Sequence, residues 1–103
     1  MPRLPHTSNQ AAKVFITLLE QPEQWWHGYG LMQATQLKSG SLYPLLIRLS
    51  DEGLLDSRWE TDADSGRPRR EYQLTLEGRI LAAERVARFQ ARQAKHSNSA
   101  ATA

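Results

Sequence analysis

Arg67, Arg69 and Arg70 occupy three of four consecutive positions, with Pro68 between the first two. Guanidinium groups set so closely repel one another, and their planar forks match the oxygens of phosphate or carboxylate, so the cluster asks for an anionic partner. A second group, Ser41, Pro44, Ile47 and Arg48, lies opposite a helical face of four leucines. Small and polar residues with one guanidinium suit presentation to a groove. Catalysis has no comparable equipment. His6, His27 and His96 stand far apart without the HExxH spacing of a metal site, and Ser39, Ser41 and Ser65 lack the strand, Gly-x-Ser-x-Gly and helix of a hydrolase elbow. With no glycine spacing for a phosphate-binding loop and no cysteine, neither enzyme activity, metal nor cofactor is expected.

The elements that must position these residues can be read from periodicity. Asn9 to Glu20 reads as a helix, with Ala11, Val14, Phe15 and Leu18 on one stripe, a Ser8 or Asn9 cap, and Pro22 beyond its end. Ala12, Ile16 and Leu19 make a second apolar strip beside the first. Gln21 to His27 reads as a connection, and Gly28-Tyr29-Gly30 leads into a short helix from Leu31 to Gln36. Leu42, Leu45, Leu46 and Leu49 then share one helical face, closed by Gly53, and Ser41, Pro44, Ile47 and Arg48 point the other way. Proline is tolerated in a first turn, which places the start of this helix near Gly40 or Ser41. Leu54 to Glu60 and Arg70 to Leu74 read as strands flanking the polar run Thr61 to Pro68. A last helix opens at Thr75 and runs to about Lys95, with one strip of Leu76, Ile80, Ala83 and Ala87 and another of Ala82, Val86 and Phe89. Trp25, Trp26 and Trp59 are expected in the core or at a subunit contact.

At 103 residues the chain is the size of one domain. Its net charge is only +2, but residues 1–60 hold five basic groups against six acidic ones and residues 61–103 hold eight against five. The excess of positive charge lies in the hairpin loop and the C-terminal segment. Three helices, a hairpin with a basic loop and a closing helix outline a fold that is mainly α with a small β wing: a winged helix-turn-helix. Such an outline serves DNA binding, or alternatively a non-catalytic protein-interaction module, for which the modest charge speaks.

Particular motifs sharpen the outline. Ser39-Gly40-Ser41-Leu42-Tyr43-Pro44-Leu45-Leu46-Ile47-Arg48-Leu49 is followed by Glu52-Gly53-Leu54-Leu55, and then by Ser65-Gly66-Arg67-Pro68-Arg69-Arg70-Glu71-Tyr72-Gln73-Leu74-Thr75-Leu76-Glu77-Gly78. Together with His27-Gly28-Tyr29, this order over roughly residues 10 to 90 resembles the PadR family of transcriptional regulators, in its compact branch with a single C-terminal helix. The resemblance implies a homodimeric winged-helix protein bound to double-stranded DNA. It puts the recognition helix at about Ser41 to Glu52, with Ser39, Ser41, Tyr43 and Arg48 as DNA contacts and Arg67, Arg69 and Arg70 on the wing. The last helix has no obvious aromatic pair, which leaves a small-molecule effector unsupported.

These readings divide the chain into a DNA-binding domain over residues 8–75, a dimerisation helix over 76–95, and flexible termini at 1–7 and 96–103. A core this small can cover only one strip of the first and last helices, so the uncovered set is expected to come from Ala12, Ile16, Leu19, Ala82, Val86 and Phe89 and to form the dimer interface. The expected product is a cytoplasmic repressor on a palindromic operator, with no apolar run long enough for a membrane.

Overall fold

A computed structural model describes the backbone of residues 8–101 and the side chains of residues 8–94. The elements run α1 (Asn9–Glu20), β1 (Trp26–His27), α2 (Gly28–Thr35), α3 (Ser39–Asp51), β2 (Leu55–Thr61), β3 (Pro68–Leu74) and α4 (Leu76–Ala101). α1 begins where expected because the Ser8 hydroxyl accepts the Ala11 N–H at 3.0 Å. Its inner stripe, Val14, Phe15 and Leu18, is fully buried.

α2 starts three residues earlier than its apolar residues suggest. The His27 ring supplies the cap that two glycines obscure, Nδ1 accepting the Gly30 N–H at 3.1 Å. The turn into α3 has no glycine. Gln36 takes the left-handed conformation there, with φ of 62°, while the buried Thr35 hydroxyl donates to the Leu31 carbonyl at 2.6 Å and accepts the Leu37 N–H at 3.3 Å. α3 begins at Ser39, so Pro44 lies one turn deeper than the first-turn rule allows. The carbonyl it leaves without a helical partner belongs to the exposed Gly40, where water can reach it. At the other end Gly53, with φ of +78°, donates to the Ser50 carbonyl at 3.0 Å, and Leu54 donates to that of Leu49 at 2.9 Å. This double bond pattern satisfies the last carbonyls and turns the chain into β2.

The sheet is antiparallel in the order β1-β3-β2. β1 lies within the stretch that reads as a connection: two residues are too short to show alternation, and Trp26 is fixed by pairing with Tyr72 and by packing on the core. The hairpin strands extend further than expected, to Thr61 and from Pro68, because these two residues face each other at the turn end of the ladder, where a first-position proline costs no hydrogen bond. Leu55, Tyr72 and Leu74 turn into one core with α1, α2 and α3.

α4 is capped by Thr75, whose hydroxyl accepts the Gly78 N–H at 2.8 Å and donates to the Gly53 carbonyl at 2.8 Å. Gly78 lies so close to the Leu54 carbonyl that no side chain would fit. Beyond Lys95, where the composition suggests flexible chain, the backbone stays helical to Ala101, since no proline or glycine after Gly78 interrupts it and Ala100 and Ala101 favour helix. Residues 1–7 and 102–103 lie outside the described residues.

Two of the three α4 residues expected on the uncovered strip lie inside instead. Ala82 is completely buried and Val86 nearly so, both within the same core as Phe15 and Leu18, and Phe89 is half-buried. The exposed strip is Leu76 (77% exposed), Ile80 (66%), Ala83 and Ala87. Periodicity alone weights the strips equally, but the small Ala82 lets α1 approach closely. On α1, Ala12 is buried, while Ile16 and Leu19 are half-buried at the edge of the core.

Candidate nucleic-acid interface

The fold holds α3 by its four leucines, all buried, and leaves Ser39, Gly40, Tyr43, Pro44, Ile47 and Arg48 exposed. Ser41 belongs less to this face than its spacing suggests. It is half-buried, with its hydroxyl turned towards Gln10 Nε2 of α1 at 3.5 Å. Tyr43 does two things: its ring and hydroxyl cover the backbone of Gly28, where any Cβ would collide, and about two-fifths of the residue still reaches solvent. Beside it the Tyr72 phenol is pushed above its usual range by burial, an effect the Tyr43 phenol reinforces and the Arg70 cation opposes. Arg48 forms no ion pair with Asp51 or Glu52 among the described residues, so its cation stands free on the exposed face. No side chain caps the N-terminus of α3, where Lys38 adds positive charge to that of the helix dipole. The end of the helix nearest Asp51 and Glu52 is acidic. An anionic partner is therefore favoured at the N-terminal half.

The wing is a six-residue turn between Thr61 and Pro68, built around Asp62. Its carboxylate accepts the Ser65 hydroxyl at 2.7 Å and the Ser65 N–H at 3.3 Å, its carbonyl accepts the Gly66 N–H at 2.8 Å, and its N–H donates to the Arg67 carbonyl at 2.8 Å. The Ser65 hydroxyl bond, ahead of the other contacts, holds the Asp62 carboxyl below the usual carboxylate range. Gly66, with φ of +71°, supplies the left-handed step.

Strand register then divides the arginines. Trp59 faces Arg70 and Ser57 faces Tyr72 on the side of the sheet that continues the core. There the Arg70 guanidinium lies 5.5 Å from the Trp59 ring centroid and donates to Ser57 Oγ at 2.8 Å. On the opposite side, Arg58 faces Glu71 and Glu60 faces Arg69. Glu71 is buried and accepts two bonds from Arg58, at 2.9 and 3.0 Å, and one from Arg69 at 3.3 Å; Arg69 also reaches Asp62 at 3.4 Å. The other face of Arg58 covers the Trp25 ring at 4.3 Å. Arg69 thus finds its anions within its own chain, contrary to the sequence argument that three crowded arginines need an outside partner. Arg67 is exposed at the wing tip, and only its backbone is engaged there.

Comparison with known proteins places this fold and its sequence in a family. The model of the transcriptional regulator PadR-like family matches residues 16–84. The chain belongs to this family. Among solved structures it is similar to a PadR family transcriptional regulator from Eggerthella lenta, at 27% identity over 92% of this chain and 87% of that one, with a TM-score of 0.72. A PadR-like transcriptional regulator from Bacillus cereus shares the fold at 22% identity, 84% and 86% coverage and a TM-score of 0.68. So does a DNA-binding protein from Sulfolobus solfataricus, at 16% identity, 88% and 90% coverage and a TM-score of 0.66. Comparison with curated proteins gave no match.

As a PadR-like protein the chain is a DNA-binding transcriptional regulator and not an enzyme. Among the described residues no group of His, Cys, Asp and Glu could hold a metal ion, and no helix is long and apolar enough to cross a membrane. His27 is committed to capping α2, while the side chains of His6 and His96 lie outside the described residues. Sequence reasoning missed Trp59. It is not in the core but 65% exposed on the wing beneath Arg70, a place that depends on the strand register and has no signal in the sequence.

Proposed function

We propose that the protein is a homodimeric repressor that reads a palindromic operator, with α3 in the major groove and the wing against the flanking backbone. The observation that carries this reading is the free Arg48 on an exposed helix face, together with a wing that leaves Arg67 and Arg70 exposed. Ser39 and Tyr43 complete the polar face, with Ser41 at its edge. Phosphate contacts from the wing set register, and α3 supplies discrimination among bases. A two-fold dimer would set two such helices about 34 Å apart, one per half-site. Occupancy of a promoter blocks transcription without any further surface, which favours repression.

Selection of binding sites from random duplex DNA tests the reading. A palindromic motif with half-sites about one turn apart is expected, with affinity falling steeply as salt rises, and a promoter carrying it should be silenced by the protein in a reporter strain. Enrichment of no motif, or salt-independent binding, would overturn it.

A further inference from the structure

Ile47 is 61% exposed in the middle of the free face of α3. Nothing among the described residues explains an isoleucine there. It is turned away from the core, and a β-branched side chain is a poorer helix former than alanine, so neither packing nor helix propensity favours it. One turn before it, on the same row, stand Tyr43 and Pro44, and one turn earlier again Gly40, where an added Cβ would meet nothing within 4 Å. This row is uncharged as far as Ile47, and turns acidic at Asp51. A duplex surface could approach its N-terminal part closely enough for a short branched side chain to touch it. Arg48, next to Ile47, offers the polar contact and Ile47 the apolar one.

The major groove presents one apolar group of this size, the 5-methyl of thymine. We propose that Ile47 is a specificity-determining residue that packs on a thymine methyl in each half-site. The proposal rests on the reading of α3 as the recognition helix.

The experiment replaces each thymine of the selected operator by deoxyuridine, symmetrically in both half-sites, and measures binding of the parent, Ile47→Ala, Ile47→Val and Arg48→Ala by fluorescence anisotropy. Because Ile47 is exposed, its variants should keep the parent's melting temperature. One thymine position is expected to cost the parent roughly fourfold or more in affinity per methyl removed, as burial of one methyl-sized group gives. Ile47→Ala should bind the uridine and thymine operators alike at that position, with Ile47→Val between. If no thymine is sensitive in the parent, or the sensitivity persists in Ile47→Ala, the proposal fails while α3 remains the reading helix, provided Arg48→Ala still weakens binding. If Arg48→Ala is also without effect, the recognition-helix reading falls with it. A change of sedimenting mass in Ile47→Ala with uridine sensitivity intact would assign the residue to a protein contact and overturn the proposal.

Discussion

Arg48 and Glu71 show how differently two charged residues can be spent. The Arg48 cation has no acidic partner among the described residues although Asp51 and Glu52 stand within four positions of it, so its removal should leave the protomer intact. Arg48→Ala is expected to lower affinity for the cognate operator by about 1–3 kcal/mol with an unchanged melting temperature, because a guanidinium that reads a base contributes that much. Unchanged operator affinity would remove it from the interface. Glu71 is the reverse case, a carboxylate 5% exposed that satisfies Arg58 and Arg69 together. Glu71→Gln keeps the shape and loses the charge. The two arginine heads reach solvent, which tempers the loss, and a drop in stability of about 1–2 kcal/mol is expected from chemical denaturation. At this scale much of the site was legible: the leucines of α3 had to point inward, so Tyr43 and Arg48 had to point out. What remained hidden was the division among Arg67, Arg69 and Arg70. That depends on which strand residue faces which, and neighbours in sequence project to opposite sides of a sheet.

The same division governs the wing as an element. Arg69 is held by Asp62 and Glu71, while Arg70 is braced against Trp59 and Ser57 on the other side and Arg67 sits at the tip. Replacing Arg67 and Arg70 together should therefore flatten the salt dependence of DNA binding by about two in log–log slope, since each lost phosphate contact removes roughly one released counterion. Arg69→Gln should leave that slope nearly unchanged, and an equal effect of all three arginines would contradict the pairing. The turn that carries Arg67 depends on ionised Asp62. A carboxyl held below its unfolded range contributes order that is present at neutral pH and is lost as pH falls through its lowered value. Amide exchange at Ser65 and Gly66 is accordingly expected to accelerate in acid before the core exchanges, and Asp62→Asn should show fast exchange already at neutral pH. Of the elements, α1 and the leucine face of α3 could be read directly because their periods are long and regular. β1 and the start of α2 could not, since a two-residue strand exists only through its partner and a histidine cap has no periodic signature.

At the scale of the molecule, one helix is out of proportion to the rest. α4 has 26 residues, about 39 Å of helix, and the Cα radius of gyration of 15.4 Å exceeds the roughly 13 Å of a compact chain of this length. Its strip of Ala82 and Val86 is consumed by α1, which leaves Leu76 and Ile80 in water at the start of the helix, continued by Ala83 and Ala87. Ala82 and Val86 are therefore unavailable to a dimer, and the outer strip offers itself in their place, with the half-buried Phe89 beyond it. The distinction separates two substitutions that would otherwise look alike. Val86→Asp buries an unpaired carboxylate in the protomer core and should unfold the chain. Ile80→Asp places its charge on a surface, so the protomer should keep its helical signal and most of its melting temperature while its sedimenting mass at micromolar concentration falls to that of a single chain. On the proposed dimeric reading operator binding should weaken with it, because each protomer alone would hold one half-site. A parent that sediments as a monomer, or an Ile80→Asp variant with the mass of the parent, would show that α4 does not pair through this strip.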